Sequence, residues 1–354
     1  MHADAVDIYA YHSYVYGTLI GGHVLDRTSV LLANMADAKG VVALAQRMDE
    51  LGYRRVWLSE NCVLDAASIG GAIAATTNME IGTAIIPVYS RTPALLAMTA
   101  ATLSRLSDGR PMHLGIGAGG QVTVERWHGM PFENTVTTVQ ETVAILRQAL
   151  AGEKTEFAGT TRRSAGFRLA EGPPHSARIH IGGMGPKMQA LAARVADGLI
   201  VTWLSPRILT GFAAKFDEAV RAAGRDPAEV DLIARAYVCV CDDPDAAREA
   251  VRRELVEYIV SPPYGNYFAS VGFHDEVTAV RNGYEARDRS RAVAGVSDRL
   301  LDEVLICGSS ASDIEQPLRA YFDQGADHVM VQPVASERHG DPAATIEAVA
   351  AALG

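Results

Sequence analysis

The chain has 354 residues, of which 48% are hydrophobic and 21% charged, so it can bury a large core and is not a disordered polypeptide. Its 32 Lys and Arg against 42 Asp and Glu leave a net charge of −10, which argues against nucleic acid or an anionic membrane as a partner. The start MHADAVDIYAYHS has no signal-peptide pattern, and no run of about 18 uncharged apolar residues occurs, so a cytoplasmic protein acting on a small molecule is expected.

In chain order, the short apolar runs Val6–Tyr11, Arg55–Ser59, Ile81–Ile86, Met112–Ile116, Ile179–Ile181, Leu199–Thr202, Leu232–Cys241 and Val329–Gln332 read as strands. Helical patterns lie between them. Val41, Leu44, Ala45, Met48 and Leu51 share a helix face that Gly52 stops, and Pro93–Leu106 opens on proline and ends at Asp108-Gly109. Such alternation implies parallel strands with right-handed crossovers, and eight units favour a closed (β/α)8 TIM barrel over an open doubly wound sheet. The whole of 1–354 reads as one barrel domain with insertions at about 12–40, 152–178 and 262–301.

Two glycine-bearing strand ends invite a ligand. Leu114–Gln121 (LGIGAGGQ) lets backbone amides approach an anion, yet it has neither a Walker GK[ST] nor a helix opening at once as a dinucleotide fingerprint requires. In Ile181–Met188 (IGGMGPKM), Pro186 suits the first position of a new helix, whose free N–H groups and positive dipole end favour phosphate. Tight strand–helix packing explains the same glycines without a ligand. The cysteines Cys62, Cys239, Cys241 and Cys307 form no disulfide framework, and Cys239 and Cys241, two apart on a strand, read as buried thiols sooner than half a metal site, so no metal is expected.

The order of these segments resembles the luciferase-like flavin-dependent superfamily, closest to its F420-dependent oxidoreductases, which include methylene-tetrahydromethanopterin reductase. The resembling residues are RVWLSE (55–60), IGTAIIPVYSRTPALLAMTAATLSRLSDGR (81–110), LGIGAGG (114–120), WHGMPF (127–132), ETVAILRQALAGE (141–153), GMGPKMQALAARVADGLIVTW (183–203) and GSSASDIEQPLRAYFDQGADHVMVQPV (308–334). The resemblance implies a TIM-barrel reductase that passes a hydride between reduced F420 and an imine or conjugated alkene. An FMN-dependent monooxygenase on the same barrel, or a barrel that only binds a ligand, are the alternatives. It also implies a homodimer, built through helices next to strands 2 to 4.

Carried over residue by residue, the resemblance places a non-prolyl cis peptide at Ala84–Ile85 behind the central ring. Asn61, Ile86, Ala118, Gly119, Gly120 and Gln121 would lie beside the ring. Gly182, Gly183, Met184, Gly185 and Pro186 would lie on the phosphate side, with Thr202 near the same mouth. Asn61 stands where some relatives carry histidine, and the glutamate of the reductase relatives' first strand is missing from Ile8–His12. Glu60 is therefore the first candidate for a proton donor, with a hydrogen-bond acceptor role equally open. His12 follows as an acid or a loop residue, and Tyr11, which shares a face with Tyr9, as a phenol reaching substrate or as packing. Trp127, Trp203, Tyr264 and Tyr267 are expected around the substrate, although SPPYGNYF (261–268) reads equally as a lid or an anchor.

Overall fold

Eight parallel strands close on themselves in the computed structural model, which describes residues 24–170, 177–334 and 341–354. In chain order the strands are β1 (Thr28–Leu32), β2 (Arg55–Leu58), β3 (Glu80–Thr83), β4 (Ile86–Pro87), β5 (Met112–Gly117), β6 (Glu156–Ala158), β7 (Arg163–Ala165), β8 (Ala177–Gly182), β9 (Gly198–Thr202), β10 (Asp231–Val240), β11 (Leu305–Gly308) and β12 (His328–Pro333). The barrel runs β1-β2-β3-β5-β8-β9-β10-β12 and returns to β1, with β4 continuing β3 along β5 and β11 flanking β10 outside the ring. The helices are α1 (Ala38–Glu50), α2 (Ala66–Ala74), α3 (Pro93–Leu106), α4 (Thr135–Leu150), α5 (Pro186–Val195), α6 (Pro206–Ala222), α7 (Pro244–Val260), α8 (Pro262–Ser270), α9 (His274–Glu285), α10 (Arg289–Ala294), α11 (Asp298–Val304), α12 (Ala311–Asp323) and α13 (Pro342–Leu353).

The first barrel strand corrects the sequence reading. Val6–Tyr11, with the candidates His12 and Tyr11, lies outside the described residues, and the strand that closes the ring is Thr28–Leu32. It pairs with Val329–Val331 on one side and Val56–Leu58 on the other. The stretch 12–40 is thus no plain insertion, since it holds β1 and the start of α1. TSVLL hides its nature because it opens on two polar residues, Thr28 and Ser29, that are buried all the same, so its apolar run is only three residues long. β1 carries no acidic residue either. In the stretch 152–178, β6 and β7 form a small antiparallel hairpin. Its tip is gathered by the Glu141 carboxylate, which accepts from the amides of Thr160, Thr161 and Arg162 at 2.7, 2.7 and 2.8 Å. The stretch 262–301 is four short helices that build a second core with α7 around Phe268, Phe273 and Leu300.

The lumen is filled in layers, as barrels of this size require. At the N-terminal end lies a buried polar network. Arg55 pairs with Glu80 at 2.8 Å, Glu80 meets His113 Nε2 at 3.0 Å, and His113 Nδ1 meets His180 Nε2 at 3.0 Å. Burial pushes the His113 imidazole down to about 3, so it is neutral and donates Nε2–H to the carboxylate. His180 must then donate Nε2–H to His113 Nδ1, which leaves its own Nδ1 a buried acceptor without a partner beside Gly198. Above this network, Leu31, Trp57, Ile200, Ile233 and Met330 form an apolar plug. The Trp57 ring lies where a Cβ on Gly82 would stand, 2.4 Å away, and its indole N–H donates to Ser29 at 2.9 Å. Gly115 is equally obligatory: a Cβ there would sit 1.9 Å from the Thr83 carbonyl.

Candidate active site

Above the plug, the C-terminal mouth of the barrel is lined by small, half-exposed groups. Ala33, Ala84 and Ile85 rest on the plug. The Ala84–Ile85 peptide is cis, as expected. It is held on both sides by β2 and its extension: Ala84 N–H donates to Leu58 at 2.8 Å, and Ile85 accepts from Glu60 N–H at 3.3 Å. The Ile85 side chain packs against Gly182, where a Cβ would come within 2.7 Å of it, and against Gly117. Ile86 differs, because its side chain is fully buried in the core between barrel and helices. The chain alternates at this point, so only the backbone of Ile86 is near the mouth.

The loop after β5 presents exposed Gly119, Gly120 and Gln121, with Gly119 at φ +72° and a Cβ there 3.0 Å from Pro87. A helical turn does open directly at Gln121, contrary to expectation, and runs into a π-helical turn at Thr123–Trp127. Its amides rise from the glycine loop, while Gln121 Nε2 is spent on Glu125 at 3.0 Å. Trp127, Val122 and Met130 on this segment are exposed. Across the mouth, Gly182 and Gly183 stay half-exposed. Gly185 caps α5 without any side chain, Pro186 has no N–H and the Met188 N–H is spent on the Gly185 carbonyl at 3.0 Å, so the first turn offers the Lys187 amide and the positive end of the helix dipole. Met184 is buried, and its Sδ accepts from Thr202 N–H at 3.5 Å. Its side chain supports the loop instead of facing the mouth.

Glu60 and Asn61 end β2 and point into different roles. Both oxygens of Glu60 are engaged: Arg91 Nε and Nη2 donate at 3.0 and 2.8 Å, and Ser90 Oγ at 3.1 Å. Arg91 reaches on to Asp65. A carboxylate clamped in this fork is an acceptor that ties β2 to the segment after β4, which is the acceptor role left open for it. Asn61 is exposed and donates to Asn34 Oδ1 at 2.7 Å, so the ends of β1 and β2 are joined at the rim.

Trp203 is buried, with φ +60°, a left-handed conformation that a bulky residue adopts only when its surroundings impose it. Here its ring stacks on Tyr237 at 3.8 Å and 12°, and its carbonyl accepts from Tyr267 Oη at 3.0 Å. Tyr258 packs edge-on to both Trp203 and Tyr264, at 5.1 and 4.8 Å. The SPPYGNYF segment is therefore an anchor: it forms α8, buries Phe268 and spends the Tyr267 phenol on holding Trp203. Trp203 and Tyr264 belong to one aromatic cluster with Tyr237, whereas Trp127 stands on the exposed turn after the glycine loop. Sequence reasoning missed Arg235, Tyr237, Glu254 and Gln332. The available signal was Arg235 and Tyr237 two apart in an otherwise apolar strand, which puts both on the face of Ile233. Among the described residues no cluster of metal-binding side chains occurs, and Cys239 is a buried thiol facing the second core with Cys241 and Cys307 packed against it.

Comparison with known proteins adds the context. The profile of the luciferase-like monooxygenase family matches residues 19–328. A 5,10-methylenetetrahydromethanopterin reductase from Methanolobus tindarius is 29% identical over 291 residues, covering 81% of this chain and 87% of that protein. A second, from Archaeoglobus fulgidus, is 32% identical over 246 residues, covering 68% and 73%. The structure of coenzyme F420 dependent tetrahydromethanopterin reductase from Methanopyrus kandleri superposes with a TM-score of 0.77 at 21% identity over 92% of this chain and 97% of the other, a likeness of fold. The chain is an enzyme of the luciferase-like monooxygenase family.

Proposed function

We propose that this protein is an F420-dependent oxidoreductase that exchanges a hydride between reduced deazaflavin and a small organic substrate, with reduction of an imine or a conjugated alkene as its reaction. The observation that carries the reading is the cradle above the apolar plug. Ala33, Ala84, Ile85, Gly182 and Gly183 leave a half-exposed floor on which a flat tricycle can rest, and a Cβ on Gly182 would collide with Ile85. The residues present fit such a group. Gly119, Gly120 and the backbone amide of Gln121 hold its edge, and the start of α5 meets a phosphate with the Lys187 N–H and the positive end of the helix dipole. Thr202 closes the floor. F420 supplies the hydride at a ring carbon when bound; the chain supplies position, a dry lower surface and fixed dipoles. Glu60, through Arg91 and Ser90, keeps the β2 end and the Ala84–Ile85 segment in register. The F420 dependence of the curated relatives favours deazaflavin over flavin.

Titrating the purified protein with F420 and, separately, with FMN tests the reading. Saturable F420 binding is expected. Tight retention of FMN with no affinity for F420 overturns it and leaves the flavin monooxygenase reading.

A further inference from the structure

The C-terminal ends of β9, β10 and β12 carry a polar wall, of which Thr202 borders the cofactor cradle and Trp203 and Tyr237 join the aromatic cluster. Arg235 and Tyr237 follow Ile233 up the inner face of β10. The register sets Thr202 beside Arg235 and Gln332 beside Tyr237. β10 stands four strands from β3 whichever way the ring is counted, so this wall faces the Ala84–Ile85 segment across the lumen.

The wall has a charge without a close match. The Arg235 side chain is only 12% exposed, and its nearest carboxylate oxygen, on Glu254, is 4.0 Å away. The guanidinium lies over the Tyr237 ring at 4.7 Å and also meets the Tyr258 hydroxyl. Glu254 accepts from Tyr237 Oη at 3.2 Å, and burial pushes its carboxyl up, towards the neutral form. Besides Thr202 Oγ1, three buried polar atoms in this wall have no hydrogen-bond partner: Arg235 Nε, Trp203 Nε1 and Gln332 Oε1. Buried polar atoms are nearly always paired, so three orphans together mark a missing partner. Arg235 and Trp203 can only donate, and the Gln332 amide donates when turned over. A wall of donors calls for an anionic acceptor, and a guanidinium matches a carboxylate fork to fork. One guanidinium beside one carboxyl group is too little positive charge for a phosphate dianion.

We infer that the wall formed by Arg235, Trp203 and Gln332 is the substrate-recognition subsite, and that it receives the carboxylate of a planar, conjugated acid laid over the cofactor floor. The inference rests on the oxidoreductase reading for the word substrate; the carboxylate site itself stands on the wall alone.

Calorimetric titration with trans-cinnamate and the isosteric neutral cinnamamide, on protein with and without F420, tests it. Cinnamate is expected to bind about ten-fold tighter than cinnamamide or more, with a gap that narrows as salt rises. Arg235→Met is expected to lose about ten-fold or more of cinnamate affinity while its cinnamamide and F420 affinities stay within about two-fold, and Arg235→Lys to fall between. Trp203→Phe should remove the indole-fluorescence change on cinnamate binding. Equal affinity for acid and amide, no cinnamate binding, or unchanged cinnamate affinity in a folded Arg235→Met protein overturns the inference. The F420 titration reads the other assignment separately. A protein that binds F420 but not cinnamate loses only the carboxylate subsite, and one that binds cinnamate but not F420 loses only the cofactor reading.

Discussion

Two residues at the mouth separate support from chemistry. Glu60 was the first candidate for a proton donor, and its geometry is that of a clamp on Arg91 and Ser90. Replacing it by glutamine keeps shape but removes the charge that Arg91 pairs with. As a clamp, Glu60→Gln is expected to cost about 1–3 kcal/mol of stability and only a few-fold in turnover. A loss of about a hundred-fold or more in kcat with the melting temperature unchanged would return it to the chemistry. Gly182 is the converse case, since its importance lies in the side chain it lacks. A Cβ would stand 2.7 Å from Ile85, so Gly182→Val pushes Ile85 into the cradle. At least about ten-fold weaker F420 binding is expected, with the circular dichroism spectrum retained, and equal affinity would move the ring elsewhere.

Among the elements, α3 is the one whose outer face asks for a partner. Leu95, Met98 and Leu106 are 41%, 49% and 43% exposed, and their spacing puts them on one side of the helix. The homodimer implied by the resemblance would bury this face. Light scattering is expected to give twice the 37.7 kDa of one chain, and Met98→Glu to return the protein to one chain by placing a charge in the contact. A wild-type mass of a single chain rules this arrangement out. The excursion of α8 to α11 behaves differently. It covers its apolar side itself, around Phe268 and Phe273, and is tied to the barrel by the bond from Tyr267 to Trp203 and by Glu303, which accepts from Ser205 and Arg207.

For the whole molecule, the buried network at the bottom of the barrel sets the response to acid. Burial lowers His113 to about 3, and pushes His180 well below its ordinary value. Glu80 is held low despite its burial, by the hydrogen bond from His113 and by Arg55 and Arg54. All three groups therefore bind protons less readily in the folded state than in the unfolded chain. Their contribution is complete above about pH 6.5 and is lost as pH falls, first through the two histidines below about 6.5 and then also through Glu80 below about 4. Each histidine steepens the fall by up to about 1.4 kcal/mol per pH unit. Acid unfolding followed by circular dichroism is expected to set in near pH 5, and His113→Asn, which cannot take up a proton, to make the profile shallower. A stability that is flat down to pH 4 contradicts this account.

Local composition and spacing determined much of this protein. The β/α rhythm, the proline-started helices α3 and α5 and the glycine-bearing strand ends were legible because each depends on residues adjacent in the chain, whereas the Ala84–Ile85 position came from the family resemblance. The tertiary structure alone decided the rest. β1 was hidden because Thr28 and Ser29, polar in sequence, are buried only once the ring closes, which leaves Val30–Leu32 as too short an apolar run to read. The fork on Glu60 joins residues 31 apart, which no local pattern couples. Arg235 gains its neighbours only when the ring closes, since closure brings β9, β10 and β12 side by side and sets Thr202 and Gln332 next to Arg235 and Tyr237.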